Sequence, residues 1–351
     1  MKSIINIVVA FFLMIGFIAC EKAVLGESAA NTPSNNFEVF WNDFDQHYGL
    51  FQIRGWDWDS IYQAYKPLVT DQTADAELYG YFTEMIEYLD DTHTWVAAPE
   101  FDGYTSGSAL NDQAEDEFSL DLVKEKYVEN YQRVDDIPDE LEFSYGKIKD
   151  KNVGYIYMNA LEEANPDKID DVVAALKEYE AIIFDIRNNG GGTDSFSKRI
   201  AGAFADGRHL SYTVQTRNGS EHGDFDEKKE FYAEPVGDNQ YLKPVMILTD
   251  RYTVSAAEIF LLHMKEFKQV VQIGDSTSGD FSDTSSDRFL PNGWLYGYSI
   301  MQFLLPDGSS LDGIGHVPDV YIKNTEADIE ADNDLVMERT FEYLLENYGI
   351  Q

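Results

Sequence analysis

The chain holds one cysteine, Cys20, in 351 residues. One thiol can form neither an intrachain disulfide nor a cysteine-based zinc site. Basic residues are also scarce: 26 Lys and Arg stand against 64 Asp and Glu, giving a formal net charge of −38. Such a surface repels phosphate backbones, so nucleic acid is not expected as a partner. The same charge serves solubility, and it can draw in basic peptides. The sequence has no GxGxxG spacing, no loop ending in Gly-Lys-Ser/Thr and no HExxH. No nucleotide cofactor and no metal are therefore expected. What is abundant is apolar: 44 % hydrophobic and 14 % aromatic residues. That is enough for a substantial core, so global disorder is not expected despite the charge.

The one long apolar run, residues 4–18, follows Lys2 and precedes Ala19-Cys20. It has the length of a signal-peptide core and is short for a membrane span. A small residue before the cysteine fits a bacterial lipoprotein signal, with cleavage leaving a lipidated Cys20. An uncleaved anchor or a plain secretory signal would use the same run. Each reading exports the protein, and the lipoprotein reading places it in the bacterial cell envelope, on the periplasmic or outer-membrane face. Residues 21–36 are small and polar and read as a flexible tether.

Residues 37–99 read as a small helical subdomain. Phe37, Phe40, Trp41, Phe44 and Tyr48 recur at helical spacing, as do Leu78, Tyr81, Phe82, Met85, Ile86 and Leu89. Residues 100–145 are acidic and irregular, a connecting segment with some strand. From residue 146 to 351 strand and helix alternate. Apolar runs at 152–158, 181–186, 245–248 and 270–273 are strand candidates, with helices expected over 167–179, 193–204 and 255–267. This alternation predicts an α/β core with a largely parallel sheet.

Four segments carry candidate chemistry. Residues 185–192 (DIRNNGGG) lead a buried strand through three glycines into a helix. Such a turn lets backbone N–H groups approach a ligand, as an oxyanion hole requires, or is simply a tight turn. Ser255, in residues 249–258 (TDRYTVSAAE), would open the next helix. It is either an N-cap or a nucleophile whose oxyanion faces the Ala256 N–H. His93 sits at a sharp helix end in residues 89–94 (LDDTHT), and stands out from His47, His209, His222, His263 and His316. Residues 305–319 are dominated by turn formers.

Together and in this order these segments resemble the tail-specific (C-terminal-processing) protease family. That family includes the tricorn core protease, and the interphotoreceptor retinoid-binding protein shares its fold. The strings are DTHT (91–94), DIRNNGGG (185–192), TVSAAEIF (253–260), GDSTSG (274–279), LPNGW (290–294) and DGIGHVPDV (312–320), within residues 37–323. The resemblance implies a crotonase/ClpP-like α/β core with a small N-terminal helical subdomain. It implies a serine-type endopeptidase acting on peptides or protein tails through an acyl-enzyme, without a cofactor. Carried over, Ser255 matches the nucleophile, and Gly191 and Ala256 match the oxyanion hole. One branch of the family uses a lysine base in a GxxTxGK string. Asp280 replaces that lysine here, which excludes a Ser–Lys dyad at this place. The tricorn-like branch uses a histidine, matched by His93, and an acid near the C-terminal glycine loop, for which Asp312 stands where glutamate is more usual. The segment between His93 and the first core strand is too short for the PDZ module of many relatives. An alternative on the same fold is a non-catalytic protein binding apolar ligands or peptides, and ester hydrolysis uses the same oxyanion chemistry.

Overall fold

The computed structural model describes residues 30–107, 117–135, 137–162 and 165–351. The apolar leader, Cys20 and residues 21–29 of the expected tether lie outside the described residues.

Helix α1 (Pro33–His47) begins four residues earlier than its first phenylalanine. Thr32 accepts the Asn35 N–H at 3.3 Å, and Pro33 is preorganised for the first turn. Residues 33–36 are thus helix and not tether. Helix α2 (Phe51–Arg54) stops on Gly55, whose φ of 74° gives the left-handed C-cap. Helix α3 (Trp58–Tyr65) is capped by Asp57. Helix α4 (Asp75–Glu87) buries Leu78, Tyr79, Phe82, Met85 and Ile86.

The chain then alternates: β1 (Trp95–Ala98), β2 (Phe101–Thr105), β3 (Val128–Arg133), β4 (Phe143–Ile148), β5 (Val153–Met158), α5 (Lys168–Leu176), β6 (Ala181–Asp185), α6 (Asp194–Gly202), β7 (His209–Thr216), β8 (Lys229–Ala233), β9 (Val245–Thr249), α7 (Ala256–Met264) and β10 (Val270–Gly274). Short strands β11 (Arg288–Phe289), β12 (Leu295–Gly297), β13 (Met301–Leu304) and β14 (Val320–Tyr321) follow, then α8 (Glu326–Glu330) and α9 (Leu335–Tyr348).

The central sheet has the order β14-β10-β9-β6-β5-β4-β3. It is parallel from β5 through β14 and antiparallel at the β5–β4–β3 edge. Strand periodicity divides its side chains between two cores. Ile182, Phe184, Val245 and Ile247 face α5, α6 and α7. Ile183, Met246 and Leu248 face the other way, toward Val336, Met337 and Leu344 of α9. Burial on both faces is why these strands read as unbroken apolar runs. Full burial of each Ile or Phe contributes about 1.5–3 kcal/mol.

The helical subdomain draws part of its core from far along the chain. Phe40, Phe44 and Phe82 pack with Leu290, Trp294, Tyr296 and Tyr298. Strand β1 pairs with β12, completing a small antiparallel sheet of order β11-β12-β1-β2. A lone hairpin is marginal in water, and these distant strands give it a hydrophobic face. The pairing locks residues 91–94, between α4 and β1, against the parallel core.

Candidate active site

Strands β6 and β9 are parallel neighbours, and the glycine turn and Ser255 leave their C-terminal ends. Crevices at such strand ends are the usual ligand sites of α/β sheets. The two turns are stitched together: Asn188 N–H donates to Asp250 at 2.9 Å, Thr253 Oγ1 to the Ile186 carbonyl at 3.0 Å, and Val254 N–H to the Asn189 carbonyl at 3.1 Å.

Ser255 has φ 58° and ψ −125°, a strained backbone for a residue with a side chain. Its neighbours hold it there. Its N–H donates to the Asp280 carbonyl at 3.2 Å, and its carbonyl accepts N–H groups of Glu258 and Ile259 at 2.8 and 3.1 Å. The hydroxyl therefore stands at the head of α7, with Oγ 3.2 Å from His93 Nε2.

Asp91 lies behind His93 and holds its backbone. This carboxylate is fully buried and accepts the His93 backbone N–H at 3.0 Å and Thr94 Oγ1 at 2.9 Å. Asp91 Oδ1 lies 4.0 Å from His93 Nδ1. Burial opposes the charge on Asp91, but the Arg54 guanidinium and His93 hold its carboxyl below the usual value.

Gly191 abuts Ser255. At φ 92°, a Cβ added there would lie 2.8 Å from Ser255 Cβ and 3.0 Å from the Ala256 nitrogen. Only glycine fits this approach. The Gly191 N–H donates to Asn189 Oδ1 at 2.9 Å, so in this arrangement it is already engaged. The Ala256 N–H, in the first turn of α7, makes no hydrogen bond among the described residues.

Asp280, at the place of the lysine, ties the two halves of the site together. Its carbonyl holds Ser255. Its carboxylate accepts Thr92 Oγ1 at 3.0 Å, Ser278 Oγ at 2.8 Å and the Arg54 guanidinium. Glu258, fully buried in α7, accepts the N–H groups of Gly279 and Asp280 at 2.8 and 2.9 Å.

Asp312 is buried and sits behind this shell. Its Oδ1 accepts Arg54 Nε at 2.8 Å, and no hydrogen bond or ion pair joins it to His93 or Ser255 among the described residues. Arg54 was not singled out by sequence, yet it is the hub of the site. It also donates to the carbonyls of Leu89, at 3.3 Å, Asp90 and Gly279, at 3.0 Å. Its partners lie up to 258 positions away, so no local pattern marks it.

Burial pushes Glu258 up to about 8, Asp312 up to about 7, and Asp250 and Asp194 up to about 6. Each keeps its proton to higher pH when folded than when unfolded. The stability they supply is fully present below the unfolded carboxyl range near about pH 4 and is lost as pH rises through the folded values. Thermal unfolding should therefore occur at a higher temperature at about pH 5.5 than at about pH 8.5. A flat or rising profile over that window would contradict these assignments.

Comparison with known proteins finds peptidases. Residues 152–322 match peptidase family S41, and residues 29–87 match the tricorn protease C1 domain. The carboxy-terminal processing protease CtpA of Bacillus subtilis is 27 % identical over 188 residues, covering 53 % of this chain and 38 % of that protein. The tail-specific protease of Haemophilus influenzae is 26 % identical over 212 residues, covering 57 % of this chain and 28 % of the relative. The chain thus spans well under half the length of these curated relatives. A crystal structure of a candidate peptidase from Parabacteroides merdae superposes with a TM-score of 0.81 at 29 % identity, covering 90 % of this chain and 98 % of the other. The chain thus carries a peptidase family S41 domain over residues 152–322 behind a tricorn-type N-terminal segment, on a mixed α/β fold, and is similar to the C-terminal-processing proteases.

Proposed function

We propose that the protein is a serine peptidase that cleaves peptides or protein tails through an acyl-enzyme on Ser255. The observation that carries this reading is the 3.2 Å approach of His93 Nε2 to an Oγ held in strained backbone at a helix head. His93 takes the Ser255 proton as Oγ attacks the scissile carbonyl. The Asp91 carboxylate stabilises the resulting imidazolium, the role of the acid in a serine triad. The Ala256 N–H and the glycine turn receive the oxyanion. Swinging the Gly191 N–H from Asn189 Oδ1 to that oxygen is the rearrangement asked of the turn. His93 then protonates the leaving amine and activates the water that releases the acyl group. Asp312 acts at one remove, by fixing Arg54 and through it the Asp90 carbonyl and Asp280. Incubation with fluorogenic peptides tests the reading. Hydrolysis that disappears in His93→Ala is expected; wild-type protein that binds peptides yet neither cleaves them nor reacts with a serine-directed probe would support a binding role instead.

Export with a lipid on Cys20 is part of the same proposal, motivated by the leader sequence. Labelled palmitate fed to producing cells should enter the wild-type protein and not Cys20→Ser. Equal incorporation into both would remove the anchor.

A further inference from the structure

One face of the helical subdomain carries a cavity of about 650 Å³, inside the range of about 300–1,000 Å³ usual for ligand sites. Helix α4 and its end build one wall. Glu84 and Glu87 stand three positions apart and Tyr88 four beyond Glu84, so all three share one helix face. Asp90 follows in the same lining. Trp56 lines it too, its indole fixed by donation from Nε1 to the Leu89 carbonyl at 3.2 Å. Both rings are open to solvent: Trp56 is 38 % exposed and Tyr88 48 %. The carboxylates of Glu84 and Asp90 belong to exposed residues, so they can be reached from outside. Phenols steady the acids of α4: Glu84 Oε2 accepts Tyr65 Oη at 3.1 Å, and Glu87 Oε2 accepts Tyr104 Oη at 2.7 Å. A phenol is a neutral donor and leaves the carboxylate charge in place. The lining includes no Lys, Arg or His, and no salt bridge reaches Glu84 or Asp90 among the described residues.

Open aromatic faces and carboxylates both attract cations, the first through the ring quadrupole and the second by charge-assisted hydrogen bonds. Among the described residues no three acids, histidines or cysteines gather as they would around a metal ion, so the cation that fits is organic. A quaternary ammonium has no N–H to give the carboxylates, whereas a lysine or arginine head has several, and its aliphatic stem can lie along the rings. We propose that this cavity docks a basic segment of the polypeptide substrate, whose lysine or arginine heads lie on Trp56 and Tyr88 and pair with Glu84 and Asp90. Asp90 precedes His93 by three residues, and three Cα–Cα steps span at most about 11 Å. A segment seated here runs beside the catalytic loop, and its basic residues lie a few positions along the substrate from the bond to be cleaved. The net charge of −38 favours the approach of such a segment.

That the docked segment is a substrate rests on the peptidase reading; the binding itself does not. The test is calorimetric titration of the Ser255→Ala protein with a blocked alanine hexapeptide carrying two lysines, and with its norleucine twin. The lysine peptide should bind at least about tenfold more tightly. Glu84→Gln combined with Asp90→Asn should remove most of that preference. Both changes keep side-chain shape, and asparagine tolerates the φ of 48° at position 90. Tyr88→Leu, which keeps an apolar wall and removes the ring, should weaken the lysine peptide about two- to fivefold and leave the norleucine peptide unchanged. Glu326→Gln combined with Glu330→Gln removes the same charge from exposed positions of α8 and should leave the preference intact. Equal binding of the two peptides, a preference that survives Glu84→Gln with Asp90→Asn, or an equal loss in the α8 variant overturns the docking site. Fluorophosphonate labelling of the wild-type protein reads the hydrolase separately: labelling without lysine preference defeats the docking site alone, and lysine preference without labelling defeats the peptidase reading alone.

Discussion

Ser255→Ala should abolish peptide hydrolysis, lowering the rate by about 10⁴-fold or more, as removal of a triad nucleophile does. The change deletes one oxygen and leaves the local frame intact. The bonds that hold position 255 are made by its backbone: N–H to Asp280, carbonyl to Glu258 and Ile259. Alanine at φ 58° carries the same backbone strain that serine already bears. Stability should therefore move by no more than about 1 kcal/mol, and the variant should melt close to wild type. Retained hydrolysis in a folded Ser255→Ala protein would take the nucleophile away from this residue.

The largest stability effect is expected at Arg54. Arg54→Leu removes the cation that pairs with Asp280 and Asp312 and strips hydrogen bonds from the carbonyls of Leu89, Asp90 and Gly279. Breaking one side of a buried ion pair costs about 3–5 kcal/mol, because the remaining charges are left without compensation. Arg54→Lys should recover little of this, since an ammonium cannot reproduce the planar fork that reaches both acids and the carbonyls. The defect should shrink toward acid pH. Asp312 already holds its proton up to about 7 in the presence of Arg54, and without the guanidinium it will hold it more strongly. Chemical denaturation of wild type and variant at two pH values checks this. A loss near zero, or one that grows as pH falls, would mean that Arg54 does not anchor the cluster.

How much of this could be read from the sequence follows from the range of the interactions involved. The parallel core was legible because β6 and β9 are buried on both faces, so their residues form continuous apolar runs. Ser255 and His93 were legible because each sits in a short string whose chemistry is local. The small sheets were not. Strand β1 finds its partner β12 about 200 positions later, Trp95 opposite Gly297, and β7 pairs with β13 at a shorter but still long remove, Thr216 opposite Met301; neither pairing leaves a periodic mark. Asp312 was expected to serve the site directly, but its position depends on Arg54, an ordinary residue at the end of a one-turn helix. Asp91 lay inside the DTHT string without being singled out; only the fold shows that its carboxylate turns back on the imidazole. Gly191 was legible as a close approach, whereas the capture of its N–H by Asn189 depends on a side-chain rotamer.

The most direct test of the central claim is to treat the purified protein with a fluorophosphonate and locate the adduct by peptide mass spectrometry, in wild type and in His93→Ala. A single adduct on Ser255 is expected in wild type, with its near-complete loss when His93 is removed. An adduct on another residue, or undiminished labelling of Ser255 without His93, would contradict it.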